Sequence, residues 1–170
     1  MEIRLEQPSD IESVRAVLIA AFGRENESEL VDQLRTVANT LSWVAVASGQ
    51  VVGHIFFSPV SVEGNCPPSV QLLGVGPLAV HPDYQRQGIG TLLLQHGVSA
   101  CKELGYSAVV ALGSPAYYSR VQFIPAKLKG LRCEYLVPDE AFMVLELGKN
   151  VLKDCCGLVK YRPEFSQCEP

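Results

Sequence analysis

Gln85-Arg86-Gln87-Gly88-Ile89-Gly90 stands between an apolar run, residues 72–80, and an amphipathic run, residues 90–104. Glycines at 88 and 90 let the backbone pass close to a bulky anion. The amides of a turn entering a helix all point at that anion, and the helix dipole adds roughly half a positive charge there. Strand, glycine-containing loop and helix in this order make a phosphate cradle, and Arg86 adds a side-chain charge. A dinucleotide fingerprint of the G-x-G-x-x-G kind needs a third glycine, but position 93 is Leu. That fingerprint also normally follows the first strand of its domain, whereas this loop lies mid-chain.

Bulk properties narrow the classes. The chain has 170 residues, 48% of them hydrophobic, with a mean hydropathy of +0.17, enough for one domain with a sizeable core. No apolar stretch is long enough to span a bilayer. Met1-Glu2-Ile3-Arg4-Leu5-Glu6 carries charges where a signal peptide needs an apolar centre, so the expected location is cytoplasmic, with no membrane partner. A net charge of −4 argues against nucleic acid as a partner, because phosphate backbones need a basic face. The same charge mildly favours a cationic amine. The six cysteines, Cys66, Cys101, Cys133, Cys155, Cys156 and Cys168, form no C-x-x-C and no His-containing metal spacing. They read as reduced thiols, with Cys155-Cys156 as one core and one exposed thiol, and no metal is expected.

Patterning supplies the element order. Residues 3–7 alternate as a half-buried strand should. Ser9 and Glu12 read as a capping box for a helix that turns Ile11, Val14, Leu18, Ala21 and Phe22 inward. Asn26 and Glu29 read as the cap of a second helix. Strands follow at 43–47 and 51–62 around the tight turn Ser48-Gly49-Gln50, then an exposed loop at 63–69. The next strand, 70–80, contains Gly74, Gly76 and Pro77, which predict a bulge that turns it away from its next neighbour. The helix after the cradle is expected to bury Leu93, Leu94, Val98, Cys101 and Leu104, and Gly105 ends it. Residues 108–112 read as a buried parallel strand, 116–121 as a short helix, and 131–135 and 142–147 as final strands. Residues 1–147 are expected to form a single domain, and 148–170 an irregular extension of it.

The string Leu78-Ala79-Val80-His81-Pro82-Asp83-Tyr84, followed by the cradle and Thr91, resembles the acetyl-CoA-binding motif of the GNAT acetyltransferase superfamily. Gln85, Gly88 and Gly90 stand at its defined positions. Tyr118 precedes Phe123 by five residues, as a Tyr does before a Gly-Phe pair in that family, although position 122 here is Gln. The strings 111–126, 139–147 and 157–165 resemble the YhbS-type branch. The resemblance covers most of the chain and implies an α/β fold with a central mixed sheet, splayed at a bulge and flanked by helices. It implies acetyl-CoA as co-substrate, bound by the backbone of Leu78, Ala79 and Val80 and by the amides of Gln85, Arg86, Gln87, Gly88, Ile89, Gly90 and Thr91. It implies two catalytic groups: the Leu78 N–H on the thioester oxygen, and the Tyr118 phenol as proton donor to the departing thiolate.

Some relatives carry a base at the positions of Gly74 and Gly76, where this chain has none. His54, Glu25, Glu27, Glu29 and water are the candidates left open. The acceptor is expected to be a small-molecule amine, a peptide N-terminus or a lysine, and the protein a monomer or homodimer. A non-catalytic acyl-CoA-binding module of the same fold is the alternative function.

Overall fold

A computed structural model describes residues 1–168; residues 169–170, the end of the expected extension, lie outside the described residues. The chain divides into two compact units. The first comprises Met1–Ser58, Gly76–Gly97 and Glu164–Cys168, and the second Pro59–Val75 and Val98–Pro163.

In the first unit, β1 (Glu2–Leu5) pairs antiparallel with β2 (Leu41–Ala47), and β2 with the start of β3 (Gln50–Asn65). Ser48 and Gly49 join β2 to β3 with φ of 51° and 76°, the left-handed pair that a tight hairpin's twist requires. The end of β4 (Leu72–Val80) neighbours β3. Helices α1 (Ile11–Phe22) and α2 (Asn26–Leu34) close one core, in which Val14, Val17, Leu18, Leu30, Val31 and Leu34 pack with Val44, Phe56 and Ala79. Each buried Val, Leu or Phe among them contributes about 1.5–3 kcal/mol, which outweighs any one of the surface ion pairs on these helices.

The caps differ from those read in the sequence. Asp10, not Ser9 with Glu12, accepts from the Gln7 N–H at 2.7 Å and closes a 3₁₀ turn, Pro8–Asp10, ahead of α1. Asn26 instead donates to the Gln167 carbonyl at 3.1 Å. Phe22 is 41% exposed and so lies off the buried stripe.

Helix α3 (Ile89–Glu103) follows the cradle. Leu93, Leu94 and Cys101 are buried as expected and Ile89 is buried with them, but Val98 is half-buried and Leu104, beyond the helix end, is 61% exposed. Two glycines let α3 approach its neighbours. A Cβ on Gly53 of β3 would meet Leu93 and Ile89 at 3.0 and 3.2 Å, and one on Gly97 would lie 2.5 Å from Cζ of Phe57.

The second unit contains β5 (Ala108–Leu112), α4 (Pro115–Ser119), β6 (Ile124–Pro125), β7 (Leu131–Cys133), β8 (Phe142–Glu146) and β9 (Cys156–Lys160). Its strands run in the order β4-β5-β8-β6. β4 pairs parallel with β5 through Leu72↔Ala108, Leu73↔Val109 and Gly74↔Val110, whereas β8 pairs antiparallel along all of β5. The β4–β5 register therefore stops next to the glycines and proline that predicted a bulge.

Two readings are corrected here. Residues 156–160 are a strand rather than irregular chain: β9 pairs with the end of β3 from Ser61↔Lys160 to Asn65↔Cys156, so β3 also covers the start of the expected loop. Gly64 and Gly157 face each other in that ladder, and a Cβ on Gly64 would lie 2.5 Å from the Cys156 carbonyl oxygen, so only glycine permits this approach. Cys66 and Cys155 are not reduced thiols. The β3–β9 pairing brings their Cα atoms to 4.0 Å and they form a disulfide across 89 residues of sequence. Cys155 is buried and Cys156 exposed.

Gly97→Ala tests the α3 packing. Alanine gains about 1 kcal/mol of helix propensity over glycine. The rigid Phe57 ring has no room to move, and overpacking costs about 1–3 kcal/mol. Urea unfolding is expected to show a net loss of about 1 kcal/mol, while Ser99→Ala on the exposed face of α3 changes stability by less than about 0.5 kcal/mol.

Candidate acyl-CoA site

The cradle lies wholly in the first unit. β4 ends at Val80, and His81 turns the chain into a 3₁₀ turn, Pro82–Tyr84. The His81 N–H donates to the Val52 carbonyl at 2.8 Å, and its Nδ1 accepts from the Asp83 N–H at 3.1 Å. The Gln85 side chain donates through Nε2 to the Val80 carbonyl at 2.9 Å. Gln85 thus braces the loop against the end of β4, a role for its side chain that the sequence reading, which assigned only its amide, did not contain.

Arg86 and Gly88 then take φ of 63° and 84°. Left-handed residues alternating this closely bend the chain into the concave form of anion-binding nests. The first bond of α3 runs from the Leu92 N–H to the Gly88 carbonyl at 3.0 Å, so the amides before Leu92 have no intrahelical acceptor. A Cβ on Gly88 would meet nothing within 4 Å, which leaves the space above the turn open. Gln85, Arg86, Gln87 and Gly88 are exposed, Gly90 and Thr91 half-buried, and Ile89 is buried against Gly53. Ile89 anchors the helix start from below. On β4, Ala79 faces the core while Leu78 and Val80 are half-buried.

Tyr118 lies in the second unit, on α4. Ser114 caps that helix by accepting from the Tyr117 N–H. The turn after α4 keeps a left-handed residue although glycine is absent: Gln122 has φ of 70°, and the Phe123 N–H reaches back to the Tyr118 carbonyl at 3.2 Å. The Tyr118 ring stands edge-on to Phe123 and Tyr117, at 5.3 and 5.1 Å between centroids. A Cβ on Gly113 would lie 2.7 Å from Cε2 of Tyr118, so this glycine admits the ring. Burial, with Tyr117 close by, pushes the Tyr118 phenol well above its ordinary pKa. It is a neutral hydrogen-bond donor.

The glycines that leave β4 without a base have aromatic neighbours from the C-terminal segment. A Cβ on Gly74 would lie 2.7 Å from Cε1 of Tyr161, and one on Gly76 would lie 3.8 Å from Cε1 of Phe165. Neither ring was singled out as a site residue from the sequence. The pairing of a side-chain-free strand with a distant aromatic has no local signal.

Two candidate bases are poorly placed to take a proton. His54 is fully buried, and its Nε2 lies 2.8 Å from the Ser42 hydroxyl. That hydroxyl also lies 2.8 Å from Glu6, which pairs with Arg35 at 2.5 Å. The hydroxyl donates its one proton to the carboxylate, so His54 donates from Nε2. Burial, reinforced by Arg35, pushes the His54 pKa down to about 3. Glu27 is 5% exposed and receives two hydrogen bonds from Arg24, at 2.6 and 3.0 Å. Burial opposes its ionisation, but the Arg24 bonds prevail and hold its pKa below the usual range. Glu25 and Glu29 are exposed. Among the described residues, no group of three or more His, Cys, Asp or Glu side chains could hold a metal ion, and no helix is long and apolar enough to cross a membrane.

Residues 11–123 match the Acetyltransferase (GNAT) family. The chain belongs to this family. Escherichia coli (strain K12) has a relative named uncharacterized N-acetyltransferase YhbS, 40% identical over 169 residues that cover 98% of this chain and 99% of the relative. The crystal structure of E. coli YhbS in complex with CoA matches with a TM-score of 0.90 at 39% identity, over 97% of this chain and 91% of that one. A GNAT family acetyltransferase from Brucella melitensis, in complex with acetyl-CoA, matches with a TM-score of 0.78 at 35% identity, over 96% of this chain and 97% of that one. The mixed sheet with flanking helices is the GNAT fold.

Two outcomes are expected for this GNAT site. Gly88→Val forces a branched side chain into a left-handed residue and into the open space above the turn. Titration calorimetry should show CoA binding lost, with the circular dichroism of a folded domain retained. For His54, the folded pKa near 3 lies below the unfolded value of about 6.5. Its contribution is complete above pH 6.5 and is lost as pH falls, because the unfolded chain takes up a proton that the folded chain refuses. Between pH 6.5 and 5 this term approaches a slope of about 1.4 kcal/mol per pH unit. Urea melts should show that slope in the parent and a flatter profile in His54→Gln.

Proposed function

We propose that this chain is an N-acetyltransferase that moves the acetyl group of acetyl-CoA to an amine by direct attack in a ternary complex. The observation that carries the reading is the left-handed turn through Gly88, opening α3 directly after β4 with its amides unclaimed. The CoA and acetyl-CoA complexes of the E. coli and Brucella relatives support the choice of ligand. In this reading the amides from Gln85 to Thr91 line the pyrophosphate, that of Gln85 also donating to the Pro82 carbonyl at 3.5 Å, and the backbone of Leu78, Ala79 and Val80 takes the pantetheine as a strand would. Residues 1–147 form the acetyltransferase domain, and the segment from 148 onward is an extension of it.

The amine nitrogen attacks the thioester carbon, forming the C–N bond. The Leu78 N–H donates to the oxyanion, and the collapsing intermediate breaks the C–S bond. Tyr118 donates a hydrogen bond to the departing sulfur. A buried phenol is a weaker acid than a thiol, so Tyr118 assists the leaving thiolate modestly, at the low end of acid catalysis, about 10²-fold. Before attack the acceptor ammonium gives up a proton to water or to an exposed carboxylate, Glu25 or Glu29, and the free amine is the nucleophile; the nitrogen loses a second proton to water as the amide forms. Glu27 is committed to its pair with Arg24, and full burial makes His54 a poor proton acceptor. The acceptor class is a small amine, a peptide N-terminus or a lysine.

The deciding experiment is thiol release from acetyl-CoA across a panel of small amines, amino acids and peptides. Release with at least one amine is expected. Binding of acetyl-CoA without release for any amine would indicate the binding-module alternative. With an accepted amine, Tyr118→Phe should lower kcat about 10²-fold and leave acetyl-CoA affinity within about twofold, the mark of an interaction made in the transition state. An unchanged kcat, where chemistry limits turnover, would remove Tyr118 as the donor.

A further inference from the structure

The segment between β4 and the cradle is closed by a side chain at each end. His81 stands at its start, with φ of −54° and ψ of 136°, in the capping position of the 3₁₀ turn Pro82–Tyr84. Its Nδ1 accepts from the Asp83 N–H at 3.1 Å. A side-chain oxygen of Ser, Thr, Asp or Asn commonly makes such a cap, and proline commonly follows it, as Pro82 does here. The backbone of His81 is held as well. Its N–H donates to the Val52 carbonyl on β3 at 2.8 Å, and its carbonyl accepts from the Tyr84 N–H at 2.8 Å. The imidazole stands edge-on to the Tyr84 ring, 6.2 Å between centroids. Gln85 closes the other end through its 2.9 Å bond to the Val80 carbonyl. All of these contacts lie within the first unit.

The next residue needs such bracing. Arg86 takes φ of 63°, a conformation that costs free energy for any residue but glycine and persists only where neighbouring structure imposes it. Gly88, at 84°, enters the same region without that cost. The strained member of the turn therefore follows directly on the segment that His81 and Gln85 fix. A cap that holds Pro82–Tyr84 sets the direction in which residues 85–88 leave β4.

We infer that His81 is a positioning residue for the diphosphate turn: by accepting from the Asp83 N–H, its imidazole holds residues 86–88 in the form that meets a diphosphate before any ligand arrives. The inference rests on the reading that the amides from Gln85 to Thr91 line the pyrophosphate. Without the cap the loop spends less time in the competent form, and apparent affinity falls with the competent fraction. The imidazole need not touch the ligand. Any hydrogen-bond acceptor with the same reach serves the turn.

The test is titration calorimetry of CoA, dephospho-CoA and pantetheine with the full chain. The parent should bind CoA and dephospho-CoA, which both keep the diphosphate, about tenfold or more tightly than pantetheine, because each bond to a charged group adds affinity. His81→Leu should weaken both diphosphate ligands about tenfold, the size of a lost cap, and leave pantetheine within about twofold. His81→Asn, whose side chain reaches the N–H two residues on, should bring both back to within about threefold of the parent. Should His81→Leu not fold, His81→Ala carries the same expectation. Three results would overturn the inference: parent-like binding of the diphosphate ligands by His81→Leu, a loss shared equally by pantetheine, or a loss that asparagine does not restore. A parent that binds pantetheine as tightly as CoA, or that binds none of the three, refutes instead the reading that the cradle takes the pyrophosphate.

Discussion

The parallel ladder between β4 and β5 lasts for three residue pairs and ends at Gly74↔Val110. A backbone N–H or C=O that leaves a ladder needs another partner, because burying it unpaired costs as much as a lost hydrogen bond. β4 runs on from Gly74 to Val80 and is followed at once by the turn whose amides lead into α3. Two kinds of backbone capacity therefore lie along one stretch of chain: strand groups free of β5, and a helix start with open space above Gly88. The proposed acyl-CoA, with an amide-bearing arm and a diphosphate, matches both.

The absence of side chains on β4 is as consequential as the side chains present. Gly74 admits Tyr161, and a Cβ there would drive into the ring. A carboxylate at position 74 has no room in this chain. Charged groups elsewhere serve cohesion. Arg35, Glu6, Ser42 and His54 form one chain of bonds, and Arg24 with Glu27 forms another beside Cys168. A buried ion that loses its partner costs several kcal/mol, so such groups are ill suited to shuttle protons.

The C-terminal segment belongs to the working structure. β9 pairs with β3 and β7 in the second unit, and Cys155 is bonded to Cys66. In the first unit Gln167 receives a hydrogen bond from Asn26, and Cys168 lies beside Glu27. The aromatic residues of the segment reach the two glycines of β4, Tyr161 at one and Phe165 at the other.

Much of this was legible in the linear chain because it depends on local geometry. Gly88 before an amphipathic run marks a left-handed turn into a helix, and residues 108–112 are an uninterrupted apolar strand whose observed limits agree. Resemblance to the GNAT family, through the spacing of Tyr118 to Phe123, singled out a residue that the structure buries on the helix after β5, with Gln122 in the left-handed position that glycine favours. What the chain alone could not show depends on partners far away in sequence. The strand at Cys156–Lys160 has little periodicity of its own and exists because β3 pairs with it through two facing glycines. The Cys66–Cys155 bond spans 89 residues, and neither cysteine carries a local sign of its partner. The burial of His54 and the seating of Tyr161 over Gly74 are likewise set by packing. A glycine announces that a side chain is missing; only the folded chain determines which distant ring takes its place.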